Sequence, residues 1–270
     1  MNKIAVLILT LAMLLSACAA LPEVPATSSP AENSSVPTTM PTEPVTEPIT
    51  EPTTEPTEPE HSALYLPQYD QEKMFEYFAE VVLDVEYSQG NGNPTLVQKW
   101  LSPLYYQYYG NPTEEDKAVL AAFFAELNAV PGFPGIHPAP NEEEVTLSIY
   151  FTDKKNLQDL FDSVVNGEDV NGATQFWYWL GNNEIYQGRI GYLNSLDQAT
   201  RNSILLEEII NTLGITDTIL RPDSIVYQYS DDNLQMSDVD WVIFRILYDG
   251  RIQCGMNREE CWEVFCQLYY

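Results

Sequence analysis

Apolar residues recur at three- and four-residue intervals from Asp70 to about Tyr87, with Met74, Phe78, Val81, Val82 and Val85 on one stripe. That period predicts a helix capped by Asp70. Leu96 to Leu101 and Leu104 to Tyr109 read instead as extended, with aromatic side chains on both faces. Thr113 and Asp116 have the spacing of a capping box, so a second helix is expected to turn Val119, Leu120, Phe123, Phe124 and Leu127 to a core. A Pro/Gly loop from Pro131 to Pro140 ends it. Val145, Leu147, Ile149 and Phe151 then alternate with polar or amphipathic residues, the period of a strand with one buried face. A short helix near Lys155 to Val165 follows, then Thr174 to Leu180 and Ile185 to Leu193, two strands joined through Gly181-Asn182-Asn183 and expected to be neighbours. A helix from about Thr200 to Leu213 stops at Gly214, and a long irregular connection runs to Gln235. Two last helices carry capping boxes at Ser237 with Asp240 and at Asn257 with Glu260. The order predicts one α+β domain over His61 to Tyr270, a mixed sheet packed with helices.

The first sixty residues follow other rules. Lys3 precedes an apolar run from Ile4 to Leu15 that is too short for a permanent membrane span, and the run ends at Leu15-Ser16-Ala17-Cys18. This is the pattern of a lipoprotein signal peptide covering residues 1–18, with small residues admitting the peptidase and the Cys18 sulfur taking the lipid. Two or more acyl chains, each methylene worth about 0.8 kcal/mol, would make a durable membrane anchor on the extracellular or periplasmic side. From Ala19 to Glu60 there are ten prolines, eight glutamates, no lysine or arginine, and a Thr-Glu-Pro unit repeated at Thr42, Thr46, Thr50, Thr54 and Thr57. Such a segment cannot bury enough apolar surface to fold, and proline with like-charge repulsion favours an extended tether of up to roughly a hundred ångströms.

Charge narrows the partners. The net charge is −28; Lys3 contributes +1 and the tether glutamates −8, so −21 belongs to residues 61–270. This argues against nucleic acid and anionic lipid surfaces as partners, and a cationic partner or simple solubility fits better; outside the membrane a cell-wall or protein partner is expected. Three cysteines, Cys254, Cys261 and Cys266, crowd the C-terminus. Export permits a disulfide from Cys254 to either of the other two, whereas Cys261 and Cys266 are five apart on a predicted helix and diverge.

Leu205-Leu206-Glu207-Glu208-Ile209-Ile210-Asn211-Thr212-Leu213-Gly214-Ile215-Thr216-Asp217 resembles the metal-binding frame of the metzincin zinc peptidases, H-E-x-x-H-x-x-G-x-x-H or a closing Asp. The resemblance puts Glu207 and Asn211 at the helical ligand positions, Asp217 at the third, and Glu208 where the general base stands. Asp223-Ser224-Ile225-Val226-Tyr227 resembles the turn below the metal, with Val226 for the usual methionine, and Ser237 to Tyr248 the closing helix. With Trp100, Pro103, the strand around Val145 and Arg201, these residues also resemble the exported bacterial domain-of-unknown-function family 2927, over about Leu66 to Met256. No activity comes with that resemblance.

The frame lacks its imidazoles. The two histidines, His61 and His137, stand elsewhere, and oxygen donors at Glu207, Asn211 and Asp217 suit calcium or another hard cation better than catalytic zinc. The simplest expectation is no cofactor: Glu207 or Glu208 pairs with Arg201 or Arg221, while Asn211 and Asp217 finish the helix. Glu207 and Glu208 project about 100° apart on a helix, too divergent to flank one glycosidic bond; a second carboxylate from elsewhere, such as Asp231 or Asp232, could be proposed, but nothing in the sequence selects it. The clusters Tyr105-Tyr106, Tyr108-Tyr109 and Phe176-Trp177-Tyr178-Trp179 read as core or as a carbohydrate or peptide platform. The sequence therefore predicts a surface-anchored lipoprotein with a non-catalytic, peptidase-like binding or interaction domain. The alternative is a divergent cell-wall peptide or glycan hydrolase using Glu208 as base.

Overall fold

The computed structural model describes residues 62–83, 95–165, 170–230 and 232–270. The anticipated signal peptide, Cys18, the tether, His61, the end of the first predicted helix and Asp231 lie outside them. The described chain runs α1 (Gln71–Val82), β1 (Lys99–Trp100), β2 (Leu104–Gly110), α2 (Glu114–Asn128), β3 (Ile136–Pro138), a 3-10 turn (Glu142–Glu144), β4 (Leu147–Thr152), α3 (Lys154–Val165), β5 (Gly172–Tyr178), β6 (Glu184–Leu193), α4 (Gln198–Thr212), α5 (Asp238–Leu247) and α6 (Arg258–Tyr269). This is an α+β domain, as the periodicity predicts.

β6 is the centre of the sheet. β5 lies antiparallel along one edge of it, while β1 and then β4 lie parallel along the other; β2 and β3 continue the parallel order outward from β4. Alternation along β4 puts Leu147, Ile149 and Phe151 on the face that packs with α1, α2, α4, α5 and α6, in one core containing Phe78, Leu120, Ile190, Leu205 and Phe244. On the opposite face α3 covers only one end of β5 and β6, through a small cluster of Leu157, Phe161, Val170, Ala173 and Leu193. Gly191 makes this possible, since a Cβ there would sit 2.3 Å from Leu157 and 2.6 Å from Phe161.

The three capping boxes at Thr113, Ser237 and Asn257 all form. One strand departs from the sequence expectation. β3 lies inside the Pro131–Pro140 segment, because a three-residue edge strand ending in proline has no alternation to read, and its pairing comes entirely from β2.

Asp116 does more than cap α2. Its Oδ2 accepts from the Thr113 backbone at 2.7 Å, and its Oδ1 accepts from Gln198 at 2.7 Å and Arg201 Nε at 2.8 Å, tying α2 to the start of α4. Burial alone would push its pKa up, but hydrogen bonds from Gln198, Thr113 and Arg201 together hold it below the usual carboxylate value. A carboxylate so depressed contributes stability that is present above the free-aspartate pKa of about 3.9 and lost as pH falls through the folded value. Urea midpoints are accordingly expected to fall on acidification below pH 4, with a shallower fall in Asp116→Asn; equal slopes in the two proteins would contradict this.

Lys99 is another buried charge that builds the fold. Its ammonium, 4% exposed, donates to the carbonyls of Leu247 at 2.7 Å, Ile252 and Asp249, closing the C-terminal end of α5. Burial pulls its pKa down to about 8, so it still carries its proton at neutral pH.

Candidate functional site

α4 begins at Asp197, whose carboxylate accepts from the Thr200 backbone at 3.1 Å, and runs along β5 and β6. From Ser203 to Thr212 every residue is buried, so its polar residues must be satisfied inside the protein. Glu207 and Glu208 are each only 7% exposed, which is rare for carboxylates. Glu208 lies against β5. The Thr174 hydroxyl is 3.0 Å from the Glu208 carbonyl and closer to carboxylate Oε2, where its single proton is best used. Gly172 makes the space: a Cβ there would stand 2.6 Å from Glu208 Oε1.

One turn on, Asn211 is 2% exposed and donates from Nδ2 to Asp217 Oδ1 at 3.1 Å. Its own Oδ1 is shielded and has no hydrogen-bond partner among the described residues. The helix end is fixed by side chains: the Trp100 indole donates to Thr212 O and the Tyr248 hydroxyl to Leu213 O, both at 2.9 Å. Gly214 leaves with φ +95. Thr218 then bridges to Tyr227 and donates from its backbone to Val226 O at 2.9 Å, so the turn containing buried Val226 is attached next to Asp217.

The structure thus brings Asn211 to Asp217 and buries Glu207 and Glu208 on the same helix. It does not bring the two arginines to the glutamates. Arg201 pairs with Asp116, and Arg221 pairs with Asp240 at 2.8 Å and Asp223 at 3.2 Å. The helical numbering made Arg201 a plausible partner, but its side chain turns to α2 and to the carbonyls of Asn194 and Leu196. His137 is on β3, with β2 and β4 between it and β6, its ring 6.4 Å from that of Tyr105. Among the described residues no group of three or more His, Cys, Asp or Glu side chains is placed to hold a metal ion. Asp232 lines an open hollow of about 460 Å³ with Asp223, Leu234 and Ser237, on the connection between α4 and α5.

The chain matches the family described as protein of unknown function DUF2927 over residues 71–267. It belongs to that family. No curated protein matches it. The DUF2927 span runs from the start of α1 into the last turn of α6 and so includes α4 with Glu207 and Glu208 and the β5 strand beside it. Its three cysteines, Cys254, Cys261 and Cys266, are free thiols. Burial pushes the Cys261 thiol up to about 12, and the Cys254 sulfur contacts the Lys99 carbonyl at 3.5 Å. Among the described residues no helix is long and apolar enough to cross a membrane.

The aromatic clusters divide by strand alternation. Tyr106, Tyr108 and Tyr178 pack against the helical core with Phe176. Tyr105, Tyr109 and Trp177 alternate to the other face of the DUF2927 sheet, where Arg189 and Gln175 also lie. Sequence reasoning passed over these last two. The available signal was the same alternation, which puts Arg189 opposite the core residues Ile190 and Tyr192.

Proposed function

We propose that this protein is an exported lipoprotein, anchored through lipid on Cys18, whose DUF2927 domain is a non-catalytic binding module on a metzincin-like scaffold that has lost its zinc. The observation that carries the reading is the hydrogen bond from Asn211 to Asp217. Two positions that would share a metal ion in the peptidase frame are joined directly, donor to acceptor. The Glu208 carboxylate at the general-base position is engaged by Thr174 and packed over Gly172. A carboxylate, an amide and a carboxylate also make a poor donor set for zinc, which is held best by neutral imidazoles and thiolates. Attachment of the turn at Val226 beside Asp217 supports the scaffold assignment.

The alternative, a hydrolase of wall peptide or glycan with Glu208 as base and a hard cation at Glu207, Asn211 and Asp217, draws support from one atom, the shielded Asn211 Oδ1 that lacks a partner. Elemental analysis of the purified protein separates the two. Well under one equivalent of zinc or calcium is expected, with no change in Glu207→Ala; one equivalent that disappears in Glu207→Ala would overturn the non-catalytic reading. For the anchor, Cys18→Ala is expected to move the protein from the membrane fraction to the soluble fraction, and unchanged membrane retention would refute lipidation.

A further inference from the structure

Strand register sets a polar row across the sheet face opposite α4: Gln107 beside Ser148, Ser148 beside Arg189, Arg189 beside Gln175. Adjacent strands are about 4.8 Å apart, so the row spans roughly 14 Å, the size of one or two pyranose rings. Aromatic rings flank it. Tyr109 and Tyr150 stack on one side with centroids 4.9 Å apart and planes 19° from parallel. On the other, Trp177 lies beside Arg189, and Trp179, 51% exposed, stacks on Tyr186 at 4.1 Å.

Arg189 is the anomaly in this row. The chain holds 40 acidic and 12 basic residues, and the buried arginines Arg201 and Arg221 each have a carboxylate. Arg189 has no ion pair and no side-chain hydrogen bond among the described residues; its guanidinium lies 4.9 Å over Phe161 and 5.4 Å over Trp177. Its Nε is shielded and without a partner, and so is Oε1 of its cross-strand neighbour Gln175, which is 3% exposed. Burial lowers the pKa of Arg189, the mark of a cation losing water without gaining an anion. Unpaired buried polar groups are costly, and that cost is built into the sheet face: an arriving anion would relieve the Arg189 guanidinium, and a hydroxyl or amide donor on the same ligand the Gln175 oxygen.

We infer that this face is a binding site for a saccharide carrying a single carboxylate. The carboxylate meets the Arg189 guanidinium, the apolar face of the ring lies on Trp177 or the Tyr109–Tyr150 pair, and hydroxyl or amide groups meet Gln107, Ser148 and Gln175. A single charge fits because a domain of net charge −21 repels polyanions at longer range. A ring fits better than an extended peptide because backbone groups within a sheet are spent on neighbouring strands, leaving this face only side chains to offer. The inference deepens the binding-module reading and rests on it for the expectation of binding without cleavage, but not on the lipid anchor.

The test is titration of the purified protein with N-acetylmuramic acid and with N-acetylglucosamine, which lacks the lactyl carboxylate, followed by tryptophan fluorescence and calorimetry. Saturable binding is expected, at least tenfold tighter for the acid. In Arg189→Gln the acid should fall to the level of the neutral sugar, Arg189→Lys should keep part of the preference, and Trp177→Ala should weaken both sugars, all with native circular dichroism. Both sugars should be recovered chemically unchanged after incubation, which tests the non-catalytic reading separately from binding, and Glu126→Gln, an exposed change on α2, should bind both as the parent does. No saturable binding, equal affinity for the two sugars, an unchanged preference in Arg189→Gln, or free lactate binding as tightly as the acid sugar would overturn the assignment.

Discussion

Gly214→Ala is expected to destabilise the domain by about 4 kcal/mol in urea unfolding. Gly214 has φ +95, a conformation that costs an L-residue about 1–2 kcal/mol. A Cβ there would stand 2.2 Å from the backbone oxygen of Gln98, an atom held by the β1 segment and unable to swing aside as a side chain could. Relieving that overlap must push the end of α4 away from β1, and overpacking of this kind costs about 1–3 kcal/mol. The same movement would stretch the Trp100 and Tyr248 hydrogen bonds that close α4. Loss of less than about 1 kcal/mol would mean that α4 and β1 are not held as described.

Asp240→Ala is expected to cost a similar amount, about 4 kcal/mol, because removing one partner of a buried ion pair strands the other. Asp240 is 6% exposed. One oxygen accepts from Arg221 at 2.8 Å and the Ser224 hydroxyl at 2.7 Å; the other accepts from the backbones of Ile225 at 3.1 Å and Ser237 at 2.9 Å. The residue therefore joins the Val226 turn to the N-terminus of α5. Arg221 is 3% exposed and already has an unpartnered Nε, so it would be left with Asp223 and Ser237. Asp223→Ala serves as the comparison: its carboxylate is 57% exposed, and exposed pairs contribute about 1 kcal/mol or less. If the two variants unfold at the same urea concentration, Asp240 is not the organising residue.

Much of the candidate site was legible as spacing. The sequence places Glu207, Glu208 and Asn211 on one helix, stops that helix at Gly214 and brings Asp217 after it, and these are local properties of periodicity and glycine geometry. What each polar group meets was not legible. The pairing of Glu207 or Glu208 with Arg201 or Arg221 follows from closeness along the chain, whereas Arg201 turns to Asp116, 85 residues earlier, and Arg221 to Asp240 in the next helix. Thr174 and Gly172 reach Glu208 only because β5 folds antiparallel onto β6 above α4.

By itself the sequence determined the helices, the caps at Asp70, Thr113, Ser237 and Asn257, the alternating strands, the β5–β6 neighbours and the α+β class, because each depends on interactions within a few residues. The tertiary structure alone decided the strand order, the small β3, the destination of the buried arginines, and which aromatics join the core. It also decided that Arg189 has no ion pair among the described residues. Those outcomes depend on contacts between residues far apart in the chain, and their register is set by which faces the whole sheet buries.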